Sequence, residues 1–396
     1  MALSLAIIIL FGLILNKAFD HVSLPGLLGM LILGVAIGPY GFDVMSQELL
    51  QVSPDLRKIA LIIILIRAGL GLKKETLKKI GVPAVKMSFI PGLMEGFTIL
   101  VVANQLLDIS LIEAGILAFI IAAVSPAVIV PQMLNLIERG KGAAKGIPTL
   151  VLAGASIDDI VAITLFSTFL GFYGGQSVNL TWKLLNIPIS IILGVAIGMV
   201  VALFLIYLFK KYHLRDTKKV LLILSVAIFL NVGKEALEGI VSIASLLGVM
   251  TIGFVIMEKY KEVGQRLAAK FNKIWVFAEL LLFVLIGAEV NINVALKSGL
   301  VGLVIIAVGL GARSIGVLLS LINTNLNGKE RLFCVIAYLP KATVQAAIGA
   351  VPLAAGVEAG ELILALAVLS IVVTAPLGAL GIKLTGEKWL ANGKIE

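Results

Sequence analysis

Long apolar runs, each closed by a charged or Gly/Pro-rich break, recur from end to end of the chain. They predict helices at about 2–18, 24–39, 58–72, 82–105, 110–135, 148–173, 184–209, 218–232, 236–257, 273–289, 297–322, 332–354 and 361–382. Runs of about 17 to 25 apolar residues cross roughly 30 Å of hydrocarbon as helices, which satisfy their backbone hydrogen bonds internally where no water is available. The pattern therefore predicts an all-α membrane protein of about 13 transmembrane helices, with one membrane domain filling residues 1–396 and only short loops outside it.

The polar positions add a direction. In and beside the connections, Lys and Arg number 23 after odd-numbered helices and 5 after even-numbered ones (Arg57, Lys58, Lys183, Lys234 and Lys297). Cytoplasmic loops are enriched in Lys and Arg, so KKETLKK (73–79) and KKYHLRDTKK (210–219) predict odd connections in the cytoplasm, the N-terminus outside and the C-terminus inside. The net charge of +9 is then a topology signal spread over short loops; the expected partner is membrane lipid, not nucleic acid. Residues 2–18 have no preceding Lys or Arg and no small-residue cleavage site after them, and read as a retained span rather than a signal peptide.

Composition agrees, since 60% hydrophobic and 14% charged residues lie far from soluble domains, where about a quarter are charged. The single cysteine, Cys334, allows no internal disulfide and no cysteine metal cluster, and His21 and His213 both fall in expected loops. No cofactor is expected.

Two segment pairs repeat at a distance of seven helices. LIRAGLGL (65–72) in the third helix resembles LIGAEVNI (285–292) in the tenth, and the proline-containing breaks VSPAVIVP (124–131) and LPKATVQA (339–346) fall in the fifth and twelfth. An odd shift inverts the second copy, and inverted repeats with helices broken at matching positions are a signature of secondary transporters with a site at the midplane. Proline removes a backbone donor, so unwound peptide groups there are expected to face an ion.

Into this frame the chain sets GASIDDIVAITLF (154–166). Asp158 and Asp159 lie ten or eleven residues into the sixth helix, which at about 1.5 Å per residue is near the membrane centre. Glu95, Arg313 and Lys341 come out at similar depth. Each such charge costs at least about 2.5 kcal/mol on insertion scales, so five at one depth predict mutual pairing and a water-filled path. Arg67 and Lys86 lie nearer helix ends and are expected to snorkel to the cytoplasmic interface. Neighbouring helix positions point about 100° apart, so the two aspartates need different partners, whereas Ser156 shares a face with Asp159 and offers a hydroxyl to the same desolvated cation. Two close carboxylates in a poorly solvated site accept either a proton or a cation, the chemical core of an exchanger.

In order along the chain, LIRAGLGL (65–72), GLMEGF (92–97), SPAVIVP (125–131), GASIDDIVAI (154–163), LIGAEV (285–290), GARS (311–314) and YLPKATVQAAIG (338–349) resemble the cation/proton antiporter superfamily. The branch is the double-aspartate one, most nearly the NHA-type sodium/proton antiporters of bacteria, and the likeness extends over essentially the whole chain. It implies an inverted-repeat antiporter fold with two crossed, broken helices, at Ser125-Pro126 and at LPKATVQ. It implies that Asp159 takes sodium or a proton with Asp158 assisting, beside Ser125 at the break and Ser156. It implies further that Lys341 offsets the carbonyl-rich half-helix ends, and that Glu95 and Arg313 form a buried ion pair. Many double-aspartate bacterial relatives carry lysine where this chain has Arg313; arginine does not deprotonate in proteins, so a proton-releasing role is not carried over.

The expected function is exchange of sodium or lithium for protons by alternating access, in a secondary transporter of the bacterial inner (plasma) membrane rather than an enzyme. A potassium/proton antiporter of the same fold is the alternative, because selectivity depends on cavity size and ligand field. A channel and an intramembrane aspartyl protease are the other readings; neighbours on one helix do not face each other as a catalytic dyad must. Midplane charges and breaks divide the chain into a moving core (about 58–173 and 273–382), a scaffold (about 2–39 and 218–257) and a linking helix (about 184–209). The resemblance implies a homodimer through the scaffold.

Overall fold

A computed structural model describes residues 1–21, 26–72, 74–174, 180–236, 243–289 and 299–393. The thirteen apolar segments are helical throughout most of these residues. In chain order the helices are α1 (Ala2–His21), α2 (Gly26–Ile37), α3 (Gln47–Gly71), α4 (Lys74–Leu106), α5 (Leu111–Ile121), α6 (Pro126–Glu138), α7 (Ile147–Tyr173) and α8 (Leu180–Lys211). They continue with α9 (Asp216–Ala236), α10 (Ser245–Lys259), α11 (Lys261–Ala288), α12 (Gly299–Ser320), α13 (Gly328–Ala337), α14 (Thr343–Ile348), α15 (Val351–Ala354) and α16 (Gly360–Trp389). Lys297, the start of the segments expected at 236–257 and 297–322, and Val290, Asn291 and Ile292 of LIGAEVNI lie wholly or mostly outside the described residues. Among the described residues, eight helical stretches are long and apolar enough to cross a membrane by length and composition alone. α3 is not one of them: Glu48, Asp55, Arg57 and Lys58 dilute its first half, and for the same reason the apolar pattern begins it at 58 instead of 47.

The fifth and twelfth segments are interrupted where the prolines stand. α6 restarts at Pro126, a first helical position where no N–H partner is needed, and Pro340 stands in the non-helical stretch after α13. Each interrupted segment opens with a capping box, Ser110 with Glu113 and Asn327 with Glu330. The two breaks cross: the Ser125 N–H donates to Pro340 O at 2.9 Å, and the Ser125 and Thr343 hydroxyl oxygens are 3.3 Å apart.

The inverted repeat is visible contact by contact. Ser125 and Thr343 are 218 residues apart, and so are Glu95 and Arg313. Equivalent residues of two inverted halves touch each other only where the pseudo-twofold axis passes, so these two contacts mark the axis at the midplane. Away from it, contacts come in matched pairs. α3 meets α10 with Gly69 against the Met250 carbonyl and Gly253 against that of Ile66; α11 meets α2 with Gly287 against the Leu31 carbonyl and Gly34 against that of Val284. A Cβ at any of the four would collide with the facing backbone, so glycine is what lets these helix axes approach. The register differs from the motif alignment, in which LIRAGLGL and LIGAEVNI are spaced by 220 (65 to 285) and the proline breaks by 215 (124 to 339). Similar letters were shared by positions that are not structurally equivalent.

Ion pairs outside the midplane respect the two faces implied by the basic alternation. On one face lie Met1 with Glu48 (3.6 Å) and Arg57 with Glu289 (3.0 Å); on the other lie Lys145 with Glu330 (2.7 Å), Arg139 with Glu387, and Asp216 with Lys219 (3.3 Å) and Arg266 (2.8 Å). Arg67, rather than snorkelling alone, pairs with Glu138 at 3.3 Å and bonds Asn272 on this second face.

The helices differ in which neighbours they pack against most. α4 lies chiefly on α12, α7 and α5, and α13 on α16; α3 lies chiefly on α10 and α11, and α11 on α3 and α2. The apolar pattern places α3 and α11 in the core segments, and the glycine crossings pack α3 on α10 and α11 on α2. Their shared motif marks close packing, not proximity to the acids.

Candidate functional site

α7 carries Asp158 and Asp159 at its middle turn, and the two carboxylates have different surroundings. Asp158 Oδ2 accepts the Val124 N–H at 3.0 Å and Arg313 Nη2 at 3.1 Å. Asp159, 9% exposed, has no hydrogen-bond or ion-pair partner among the described residues, and its Oδ1 is a buried acceptor without a donor. The helical turn of about 100° between neighbours separates them: one acid faces the break, and the other faces away. Gly92 of α4 makes room for the first, since a Cβ there would stand 2.7 Å from Asp158 Oδ1.

Glu95 is fully buried, and its Oε2 accepts both Arg313 Nε and, at 2.6 Å, Lys341 Nζ. Arg313 also donates to Ala122 O and lies 5.7 Å from the centre of the Tyr338 ring. Lys341 Nζ is 3.5 Å from Ala122 O, and its backbone N–H donates to Thr374 Oγ1 at 2.8 Å. The Glu95–Arg313 pair is thus one link in a chain running Asp158, Arg313, Glu95, Lys341. Buried charges persist when paired and hydrogen-bonded. Three acids face two cations here, so with all ionised one negative charge is left over, and Asp159 is the acid without a partner.

The hydroxyls are less closely drawn in. Ser125 Oγ accepts the Thr343 N–H at 3.4 Å. Ser156 donates to Leu152 O at 2.8 Å and lies 3.6 Å from Met250 Sδ on α10; among the described residues no hydrogen bond joins it to Asp159. Four carbonyls at and just past the end of α5 already have donors. Gln345 Nε2 donates to Ile120 O (2.9 Å), Ile121 O (3.3 Å) and Ala123 O (2.9 Å), and Ala122 O is taken by Arg313 and Lys341. Gln345, Thr374, Tyr338 and the Val124 N–H escape a sequence reading that searches for buried charge, because all are neutral; a glutamine in a long apolar segment is the one signal available. The arrangement suits reversible binding of one monovalent cation or one proton. It does not suit an aspartyl dyad, because Asp158 is held by Arg313 and does not face Asp159.

Comparison with known proteins agrees with this geometry. The family described as "Sodium/hydrogen exchanger, transmembrane" matches residues 5–388. Sodium/hydrogen exchanger 9B2 of Homo sapiens is 38% identical over 387 residues, covering 93% of this chain and 70% of that protein; exchanger 9B1 of Homo sapiens is 35% identical, covering 93% and 73%. The structure of the sodium proton antiporter MjNhaP1 from Methanocaldococcus jannaschii shares the fold, with a TM-score of 0.74 at 20% identity over 97% of this chain and 94% of that one. With a match that runs through both helix breaks and the midplane acids, the chain belongs to the sodium/hydrogen exchanger family.

Proposed function

We propose that the protein exchanges sodium or lithium for protons by alternating access, with cation and proton competing for Asp159. The observation that carries this reading is the partnerless Asp159 carboxylate at the centre of α7, beside acids that already have cationic partners. Asp158 assists by adding negative potential while it stays bonded to Val124 and Arg313. Ser125 at the break and Ser156, three residues before Asp159, are candidates for neutral oxygen ligands, the kind a hard cation takes. Because Arg313 keeps its proton, one cation or one proton neutralises the cluster, and a one-for-one cycle moves no net charge.

The moving body in this reading is α4–α7 with α12–α16, turning against α1–α3 and α9–α11, with α8 as the link. Groups that replace an ion's hydration shell must stay together, which favours motion as a unit. Arg67 with Glu138, and Glu258 with the Lys74 N–H at 3.4 Å, span the boundary on one face and part when the site opens there. The basic alternation and the same-face ion pairs support an N-terminus outside and a cytoplasmic C-terminus. A homodimer through the apolar outer surface of the scaffold belongs to the same reading.

The test is purified protein in liposomes under an imposed proton gradient, with sodium, lithium and potassium supplied separately. Asp159→Asn abolishes exchange while the folded protein stays in the membrane. Wild-type-like exchange by that variant sinks the reading.

A further inference from the structure

The end of α5 presents a problem that the chain solves with one side chain. The last carbonyls of a helix have no intrahelical partner, and in a membrane interior no bulk water is at hand to satisfy them. The carbonyls of Ile120, Ile121 and Ala123 all accept from Gln345 Nε2, which reaches them from the other half of the inverted repeat. Gln345 is 1% exposed, and its donors are spent wholly on this strip.

One of those bonds reaches the acids. A trans peptide is planar, and its C=O and N–H point in opposite directions. The unit joining Ala123 to Val124 has its carbonyl on Gln345 and its N–H on Asp158 Oδ2, at 2.9 Å and 3.0 Å. Gln345 therefore fixes the rotation of the plane that hands Asp158 its backbone donor. Without it, the plane loses one of the two bonds that fix its rotation, and only the bond to Asp158 itself holds the Val124 N–H in place.

We infer that Gln345 is a positioning residue for ion exchange, acting through the Ala123–Val124 peptide on Asp158 and so on the cation bound beside it. The inference rests on the exchanger reading above. It assigns work to a neutral amide that touches neither the ion nor a charged side chain.

Two variants test it in the full-length protein. Gln345→Met keeps the length and removes the N–H donors; Gln345→Asn keeps the amide but is one methylene too short. Sodium KM and kcat are read in proteoliposomes, and sodium affinity is read independently from sodium-dependent thermal stabilisation, which needs no transport. Both variants should weaken sodium by about tenfold, the factor equivalent to about 1.4 kcal/mol, with kcat changed much less. A role in packing alone would lower Tm and yield but leave sodium affinity as it was. Unchanged affinity in whichever variant reaches the membrane overturns the inference, as does failure of both to accumulate. If wild type exchanges no sodium in the same liposomes, the exchanger reading falls, and the binding comparison still decides this one.

Discussion

Arg313→Ala removes three interactions at once, with Glu95, with Ala122 O and with Asp158. Taking one partner from a buried ion pair typically costs about 3 to 5 kcal/mol, because the remaining charge is uncompensated. Here neither acid is left bare: Glu95 keeps Lys341 at 2.6 Å, and Asp158 keeps the Val124 N–H at 3.0 Å. Those survivors set the loss near the lower end, about 3 kcal/mol. At about 2.1 cal/mol/K of unfolding entropy per residue, a chain of 396 residues converts this to a fall of roughly 4 °C in Tm. Arg313→Lys keeps the charge without the fork and should lose about half as much. The assay is thermal unfolding of purified protein in detergent, alongside apparent sodium affinity. Glu95→Gln combined with Arg313→Gln should cost less than the two single changes together, because both charges leave at once. Strictly additive losses refute the argument, as does an unchanged Tm with only sodium affinity reduced, which would move Arg313 into the ion site.

Gly92→Ala would bring a Cβ within 2.7 Å of Asp158 Oδ1, and should cost about 1 to 3 kcal/mol of stability and reduce exchange; no change in either counts against the site geometry. In a Cys334→Ala background, cysteines at Arg67 and Glu138 joined by a short bifunctional thiol reagent should stop exchange, whereas the same link between Arg139 and Glu387, both in the moving body, should be tolerated. Full activity with the first link in place rules out relative motion of the two bodies. Asp216 lies at the start of α9; burial alone would raise its carboxyl, but hydrogen bonds from Arg266 and Lys219 outweigh this and hold it below the ordinary carboxylate range. A depressed folded value stabilises above the unfolded one, near pH about 4, and the benefit is lost as pH falls through the folded value. Asp216→Asn should therefore lower Tm at neutral pH and cease to do so in strong acid; an equal gap at both contradicts the assignment.

How much of this was legible depends on which physical term each feature expresses. The spans and breaks are written in hydropathy and proline, so all thirteen segments and both interruptions can be read directly. α3 exceeds its apolar run because its first half carries Glu48, Asp55, Arg57 and Lys58. The close packing of α3 on α10 and of α11 on α2 turns on Gly69 and Gly287, whose contribution is the absence of a side chain and leaves no mark on charge or depth. At the site, depth singles out the five charges, but not that Lys341 reaches Glu95, nor that the break carbonyls turn to Gln345. Those depend on the crossing of two segments 218 residues apart, which no local pattern encodes.

An offset of 218 at the axis, within one residue of that between Gly34 and Gly253, is the trace of a tandem duplication, and the acid pair lies in one copy only. By that offset Asp158 corresponds to Pro376 and Lys341 to Ala123. Two identical, separate subunits meeting in opposite orientations would carry every such group twice or not at all. Their shared axis would then hold doubled acids or doubled lysines. Joining the copies in one polypeptide removed that constraint, since each half could then diverge alone. The midplane acids Glu95, Asp158 and Asp159 lie in one half, and the cations Arg313 and Lys341 in the other. The asymmetry of the midplane cluster is thus one that two identical subunits could not show.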